Sequence, residues 1–283
     1  MDDVGSRSLR GIIRGEAVTT MGMDLEDHCQ LPTPSRYLMR ELDRKPSTLP
    51  ERCAVVGAGR LGHALSAALR DAGVEVEGPL GRGAQPEADV VLLTVPDVEI
   101  RAAAERLPRN GQLIGHCSGA TTLEPLGDRE GFSLHPLMTV PEGGKARFDG
   151  AGAAVAGTSE RALAVATALA RALHMRPVEV RDEDRAAYHA AASIAANFLV
   201  TLEGAAERLA ATAGVPRDLL VPLARAALEN WAADGAERAL TGPVARGDEE
   251  TIARQRAAVE ERAPDLLDTF DALVTASRVL AAA

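Results

Sequence analysis

The sequence predicts an α/β fold: a doubly wound, mostly parallel sheet over residues 50–181, followed by an all-α domain over residues 182–283. Three observations carry this. Short apolar runs alternate with amphipathic helical patterns as far as "RPVEV" at 176–180, and strands that alternate with helices pair in parallel. The first such unit, "CAVVGAGRLGHALSAALRDAG", joins a strand to a helix through a glycine turn. From Asp182 onward the pattern is helical, with no strand-like run.

Taken in order, the run ending at Val56 is a buried strand. The helix after it carries Leu61, Leu65, Ala68 and Leu69 on one face and stops at Gly73. "VEVEG" is a second strand that runs on to Pro79 or Leu80. "DVVLLTVPD" has the β-branched content of a strand covered on both faces, and "VEIRAAAERL" is helical. "GQLIGHCSG", "GFSLHPL" and "GAAVAG" are further strands, with a helix over 159–173 before "RPVEV". Beyond 182 come four helical stretches. The last sets Leu266, Phe270, Leu273, Val274 and Leu280 on one face as a docking stripe. Residues 1–49 are polar and proline-rich and read as a mobile extension. Met21, Met23 and Met39 offer later starts, and the His28–Cys29 pair is incidental.

Composition excludes several function classes. Hydrophobic residues at 46% and charged residues at 25% describe a soluble globular chain; aromatics at 2% leave Ala, Leu and Val to fill its core. A net charge of −10 argues against nucleic acid or an anionic membrane as partner. An anionic small molecule would need local groups. Cys29, Cys53 and Cys117 form no CxxC pair and no metal spacing, so no metal and a reducing, cytoplasmic setting are expected. No apolar run nears the ~20 residues of a membrane span, and the first residues lack a signal-peptide core.

"GAGRLG" places glycines at 57, 59 and 62 between a strand and a helix, the context a Rossmann dinucleotide loop requires. Glycine lets the backbone turn tightly and approach a pyrophosphate, whose charge then meets the helix N-terminus. Gly57, Ala58, Gly59, Arg60, Leu61 and Gly62 are thus the expected cofactor loop. An NAD site has an acid at the tip of the second strand. Glu77 precedes "GPLGRG" and the tip carries none, whereas Arg82 and Arg60 can hold a 2′-phosphate. NADP is therefore expected, with NAD possible.

In such a sheet ligands lie over the carboxyl ends of the strands. "TVPD", "HCSGA" and "LHPLMT" fall there. Val95 and Pro96 should pass beneath the nicotinamide half, with Asp97 capping the next helix. Ser118 and Gly119 could bond the cofactor amide or a substrate. His116 and His135 sit at strand ends on one rim; Cys117 reads as a small strand residue. His63 is expected near the phosphates and His174 in a loop.

"YHAAASIAANFL" sets His189, Ser193 and Asn197 four residues apart, one polar stripe on a helix. Tyr188 and Trp231 read as packing residues. "LTGPVARGDEETI" is a tight loop with Asp248 at a helix N-cap, and Arg246 could pair a substrate carboxylate.

Together "GAGRLGHAL", "VPD", "HCSGA", "LHPL", "YHAAASIAANFL" and "LTGPVARGD", spread over residues 53–251, resemble one family. It comprises the Rossmann-like oxidoreductases whose helical C-terminal domain is catalogued as of unknown function, within the phosphogluconate-dehydrogenase-like superfamily. The resemblance implies an NADP-dependent enzyme with a cleft between its two domains, often a homodimer through the helical domain. Some members serve as ketopantoate reductases, so a small branched 2-keto acid is the implied substrate. Better-known relatives carry a catalytic lysine one turn before an asparagine, where this chain has Ser193 before Asn197. His189, one turn earlier, is the candidate acid that could replace it, with His135 as the alternative and Ser193 and Asn197 as orienting donors. His116 and Arg246 are candidate substrate contacts. Two other readings stay open: an imine reductase or β-hydroxyacid dehydrogenase, and an NADP(H)-sensing protein without turnover.

Overall fold

The computed structural model describes residues 49–142 and 146–283; the expected extension, apart from Leu49, lies outside the described residues. Among the described residues seven strands make one sheet: β1 (Arg52–Val56), β2 (Glu75–Leu80), β3 (Val90–Leu93), β4 (Leu113–His116), β5 (Gly131–Leu137), β6 (Gly152–Gly157) and β7 (Arg176–Glu179). Their order is β2-β1-β3-β4-β5-β6-β7. The chain leaves β1 toward one edge to form β2, then returns to place β3 on the other side of β1. The β1–β3 boundary is therefore the topological switch point, where a crevice opens beyond the strand ends.

The alternation of side chains explains the layers. Cys53, Val55, Val90, Leu92, Phe132 and Leu134 point to one face. There they meet Leu65 and Leu69 of α1 (Arg60–Asp71) and Ala162, Ala166 and Leu169 of α3 (Glu160–Ala172). Ala54, Val56, Val91, Leu93 and Ile114 point the other way, onto Ile100 and Ala104 of α2 (Ile100–Arg106). The first five strands run parallel, but β6 pairs antiparallel with β5, His135 facing Ala154. No crossover helix joins β5 to β6 among the described residues, and only an antiparallel partner can follow without one.

Past β7 the described chain is helical: α4 (Arg185–Ser193), a π turn (Ile194–Phe198) leading directly into α5 (Leu199–Ala211), α6 (Arg217–Asp234), the short α7 (Ala236–Ala239), α8 (Glu249–Arg262) and α9 (Leu267–Ala281). Asp248 caps α8, its carboxylate accepting from the Thr251 amide at 3.1 Å. Among the described residues from 182 on, only Arg185, Ile252, Val259 and Ala263 are buried. Val200, Leu223 and Val279 are about 70% exposed, and Trp231, expected to pack, is 57% exposed. None of the described helices is long and apolar enough to cross a membrane.

Candidate dinucleotide cleft and histidine cluster

The cleft at the switch point has a volume of about 260 Å³ and is lined by Gly57, Gly59, Arg82, Val95, Pro96 and Arg106, with Ala58 beside them. The three glycines have three different reasons to be glycine. Gly57 sits at φ +123°, and a Cβ there would lie 2.5 Å from the Thr94 carbonyl oxygen; β1 and β3 could not approach so closely otherwise. A Cβ on Gly62 would lie 1.9 Å from the Gly57 oxygen, so this glycine seats α1 on the loop. A Cβ on Gly59 meets nothing within 4 Å: it would project into open space. That space fits a pyrophosphate approaching the backbone. The amides of Arg60, Leu61 and Gly62 open α1 and lack intrahelical acceptors. No acid stands in the first turn to compete for them. Thr94 fastens the loop, its hydroxyl donating to the Gly57 carbonyl at 3.0 Å.

β2 ends at Leu80, and Arg82 follows at the cleft mouth, its guanidinium donating to Glu99 at 2.9 Å. Arg82 is exposed and Glu99 half-buried, so water screens the pair and it holds the arginine only weakly. The Arg60 and His63 side chains line a separate surface hollow with Pro141 and Phe148, while Leu61 packs on the core. His174 sits in the turn after α3 at φ +56°.

A second group of polar residues gathers at the carboxyl ends of β4 and β5. His116 is fully buried. Its Nε2 lies 3.0 Å from the Thr122 carbonyl and its Nδ1 accepts from the Ser118 amide at 3.3 Å. A carbonyl cannot donate, so the ring is the neutral Nε2–H form. Burial, with Arg185 nearby, pulls its pKa down to about 4. Both nitrogens are engaged, which corrects the expected substrate contact: His116 staples the β4 loop. Ser118 is committed too. Its hydroxyl donates to Asp97 at 2.7 Å and accepts from the Thr121 amide at 2.9 Å. Asp97 thus holds Ser118, and no side-chain cap closes the helical turn that it opens.

His135 packs against Gly119, where a Cβ would lie 2.7 Å from the ring. Its Nδ1 lies 2.8 Å from the Tyr188 hydroxyl, and the His189 ring stands edge-on with centroids 6.2 Å apart. Burial, then the charges of His189 and Arg185, lower the His135 pKa to about 4. Burial raises Tyr188 to about 12. Arg185, fully inside, donates from Nε to Asp182 at 2.8 Å and from Nη2 to Ser133, while Nη1 is buried without a partner. It ties α4 to β5.

The structure therefore brings His135, Tyr188 and His189 together. Ser193 is half-buried on α4 and Asn197 exposed within the π turn, a helical irregularity common at functional sites. Arg246 is exposed in the turn before α8, and among the described residues no hydrogen bond or ion pair joins it to His135 or His189. Sequence reasoning missed Tyr188, which it assigned to packing, and Arg185. Arg185 had a signal: it stands one more step of four back along the 189–193–197 stripe. Tyr188 had none, since its partner is 53 residues away. Cys53 and Cys117 are buried free thiols, pushed up to about 12 by burial.

A glycine cradle at the switch point of a parallel sheet, continued by a helical region, defines the Rossmann dinucleotide-binding class. Comparison with known proteins narrows this. Residues 152–277 match the family described as domain of unknown function DUF2520; the match begins at β6, so it takes in part of the sheet. A candidate NADP oxidoreductase from Bacteroides fragilis is similar at 20% identity and a TM-score of 0.70, covering 81% of this chain and 98% of that one. A Thermotoga maritima protein is similar at 26% identity and a TM-score of 0.67, with the same coverages. A reductive aminase from Aspergillus terreus, solved with NADPH and ethyl-5-oxohexanoate, is similar at 16% and 0.56, covering 82% and 96%. No curated protein matches. The fold is that of Rossmann-type oxidoreductases.

Proposed function

We propose that this chain is an NADP-dependent oxidoreductase that reduces the carbonyl of a small 2-keto acid, with ketopantoate to pantoate the first reaction to test. One observation carries the reading: the glycine cradle and the His135–Tyr188–His189 cluster both stand at the carboxyl edge of one sheet. A sensor without turnover needs the cradle but not the cluster. Arg82, just past the tip of β2, supports NADP through its fit to a 2′-phosphate.

Bound in the cleft, the reduced nicotinamide supplies a hydride. The residues of this chain do the rest. Val95 and Pro96 line the cleft and would hold the nicotinamide half of the cofactor. His135 is neutral at pH 7 and sits as a hydrogen-bond donor for the substrate oxygen as negative charge develops there. His189, exposed on α4, is the general acid. Ser193 and Asn197 orient the substrate, and Arg246 is assigned its carboxylate.

The test is loss of NADPH absorbance with purified protein and a panel of 2-keto acids and cyclic imines. Turnover of ketopantoate with a roughly 10²–10⁴-fold drop in His189→Ala, NADPH binding retained, is the expected result. NADPH binding with no turnover of any compound rejects the enzyme reading. An unchanged KM in Arg246→Ala removes the carboxylate role. The aminase neighbour supports a second reading, reduction of C=N in place of C=O, which the imines in the panel test.

The exposed apolar residues of α5, α6 and α9 support a homodimer through the helical region. A monomer mass by light scattering at micromolar concentration rejects it.

A further inference from the structure

We infer that Tyr188 is a positioning residue: its hydroxyl donates to His135 Nδ1 and fixes that ring as the Nε2–H form, so that Nε2–H is the donor offered to the substrate oxygen. The role of Nε2–H rests on the carbonyl-reduction reading above; the Tyr188–His135 bond does not.

The geometry comes from three contacts. Arg185 reaches Ser133 on β5, two residues before His135 and so on the same face of the strand. It also holds Asp182 at 2.8 Å. The first turn of α4 is thereby pinned to β5, and Tyr188, three residues on, is delivered to His135 at 2.8 Å. Gly119 completes the seat, since a Cβ there would lie within 2.9 Å of Cε1, Nδ1 and Nε2 and displace the ring.

The direction of the bond follows from chemistry. Burial keeps both partners uncharged at pH 7, the imidazole at about 4 and the phenol at about 12. Between two neutral groups, the imine nitrogen of imidazole is a stronger base than a phenol oxygen, and a phenol O–H is more acidic than an imidazole N–H. The proton therefore sits on Tyr188 and points at Nδ1, leaving the other nitrogen protonated. A ring free to exchange tautomers would present a lone pair to the substrate oxygen part of the time. The hydroxyl removes that unproductive form. His116 is fixed in the same tautomer by a backbone carbonyl; a side chain on α4 does for His135 what the loop does for His116.

The experiment is nitrogen-15 NMR of the histidine rings in the protein without ligand, at pH 7, on the parent and on Tyr188→Phe, which keeps the aromatic ring in place. The expected result is a protonated Nε2 and bare Nδ1 for His135 in the parent, replaced by averaged shifts of a tautomer mixture in the variant. With a substrate in hand, kcat should fall on the order of tenfold or more while KM moves less than about threefold. A protonated Nδ1 in the parent, or a tautomer unchanged in Tyr188→Phe, overturns the inference. Absence of turnover with every compound would instead remove the function proposed above and leave the tautomer result standing.

Discussion

Replacing Gly59 with alanine should separate cofactor binding from folding. Gly59 caps α1 at φ −79° and ψ −178°, a conformation open to any L-residue, and its added Cβ touches nothing within 4 Å. Loss of glycine's preference at the N-cap costs about 0.5–1 kcal/mol. The smaller entropy of the unfolded alanine chain offsets about 0.4–1 kcal/mol. The two nearly cancel, so the melting temperature should stay within about 2 °C of the parent. On the proposed placement of the cofactor, the same methyl group stands where a pyrophosphate would come to reach the amides opening α1. Loss of one hydrogen bond to a charged group removes about 1.5–3 kcal/mol, which weakens NADPH binding roughly 10- to 100-fold. Gly62→Ala is the contrast. Its Cβ would lie 1.9 Å from the Gly57 oxygen, and relieving such an overlap costs about 1–3 kcal/mol of stability. NADPH fluorescence titration and thermal melts read both quantities. A Gly59→Ala protein that keeps both the parent melting temperature and the parent affinity refutes the placement of the pyrophosphate.

Three further outcomes are expected. Arg82→Ala should weaken NADPH by about tenfold or more and leave NADH unchanged, since only the former carries a 2′-phosphate; equal losses for the two in parallel titrations would point to a general effect on the cleft. His116 and His135 are both held at about 4 in the fold against 6.5 for a free histidine. The unfolded chain therefore binds more protons between those values, and stability is full above pH 6.5 and lost as pH falls toward 4. Each contributes on the order of 3 kcal/mol to that loss. Urea midpoints measured from pH 7 to 4 should fall with a slope reduced in His116→Asn; an unchanged slope contradicts the burial argument. Arg185→Ala should destabilise by about 2–4 kcal/mol through a cavity and the lost Ser133 and Asp182 bonds. Arg185→Met, which fills the space and removes the unpartnered Nη1, should cost clearly less in the same denaturation assay.

The sequence by itself determined the parts of this protein that follow from local rules. Period-2 and period-3.6 patterning marks the strands and helices, and three glycines between a strand and a helix mark the cradle, because side-chain burial and backbone freedom are properties of neighbouring residues. The placement of Asp248 at the head of α8 is of the same kind. Only the tertiary structure decided which polar groups meet. His116 and His135 look alike in the chain, each at a strand end beside turn-forming residues. One is stapled by its own loop, and the other is left for a helix that arrives 53 residues later. Asp97 was free to cap its own turn until Ser118, 21 residues on, folded against it. A side chain's role at this edge is set by which long-range partner satisfies it first, and that choice exists only once β4, β5 and α4 are packed together.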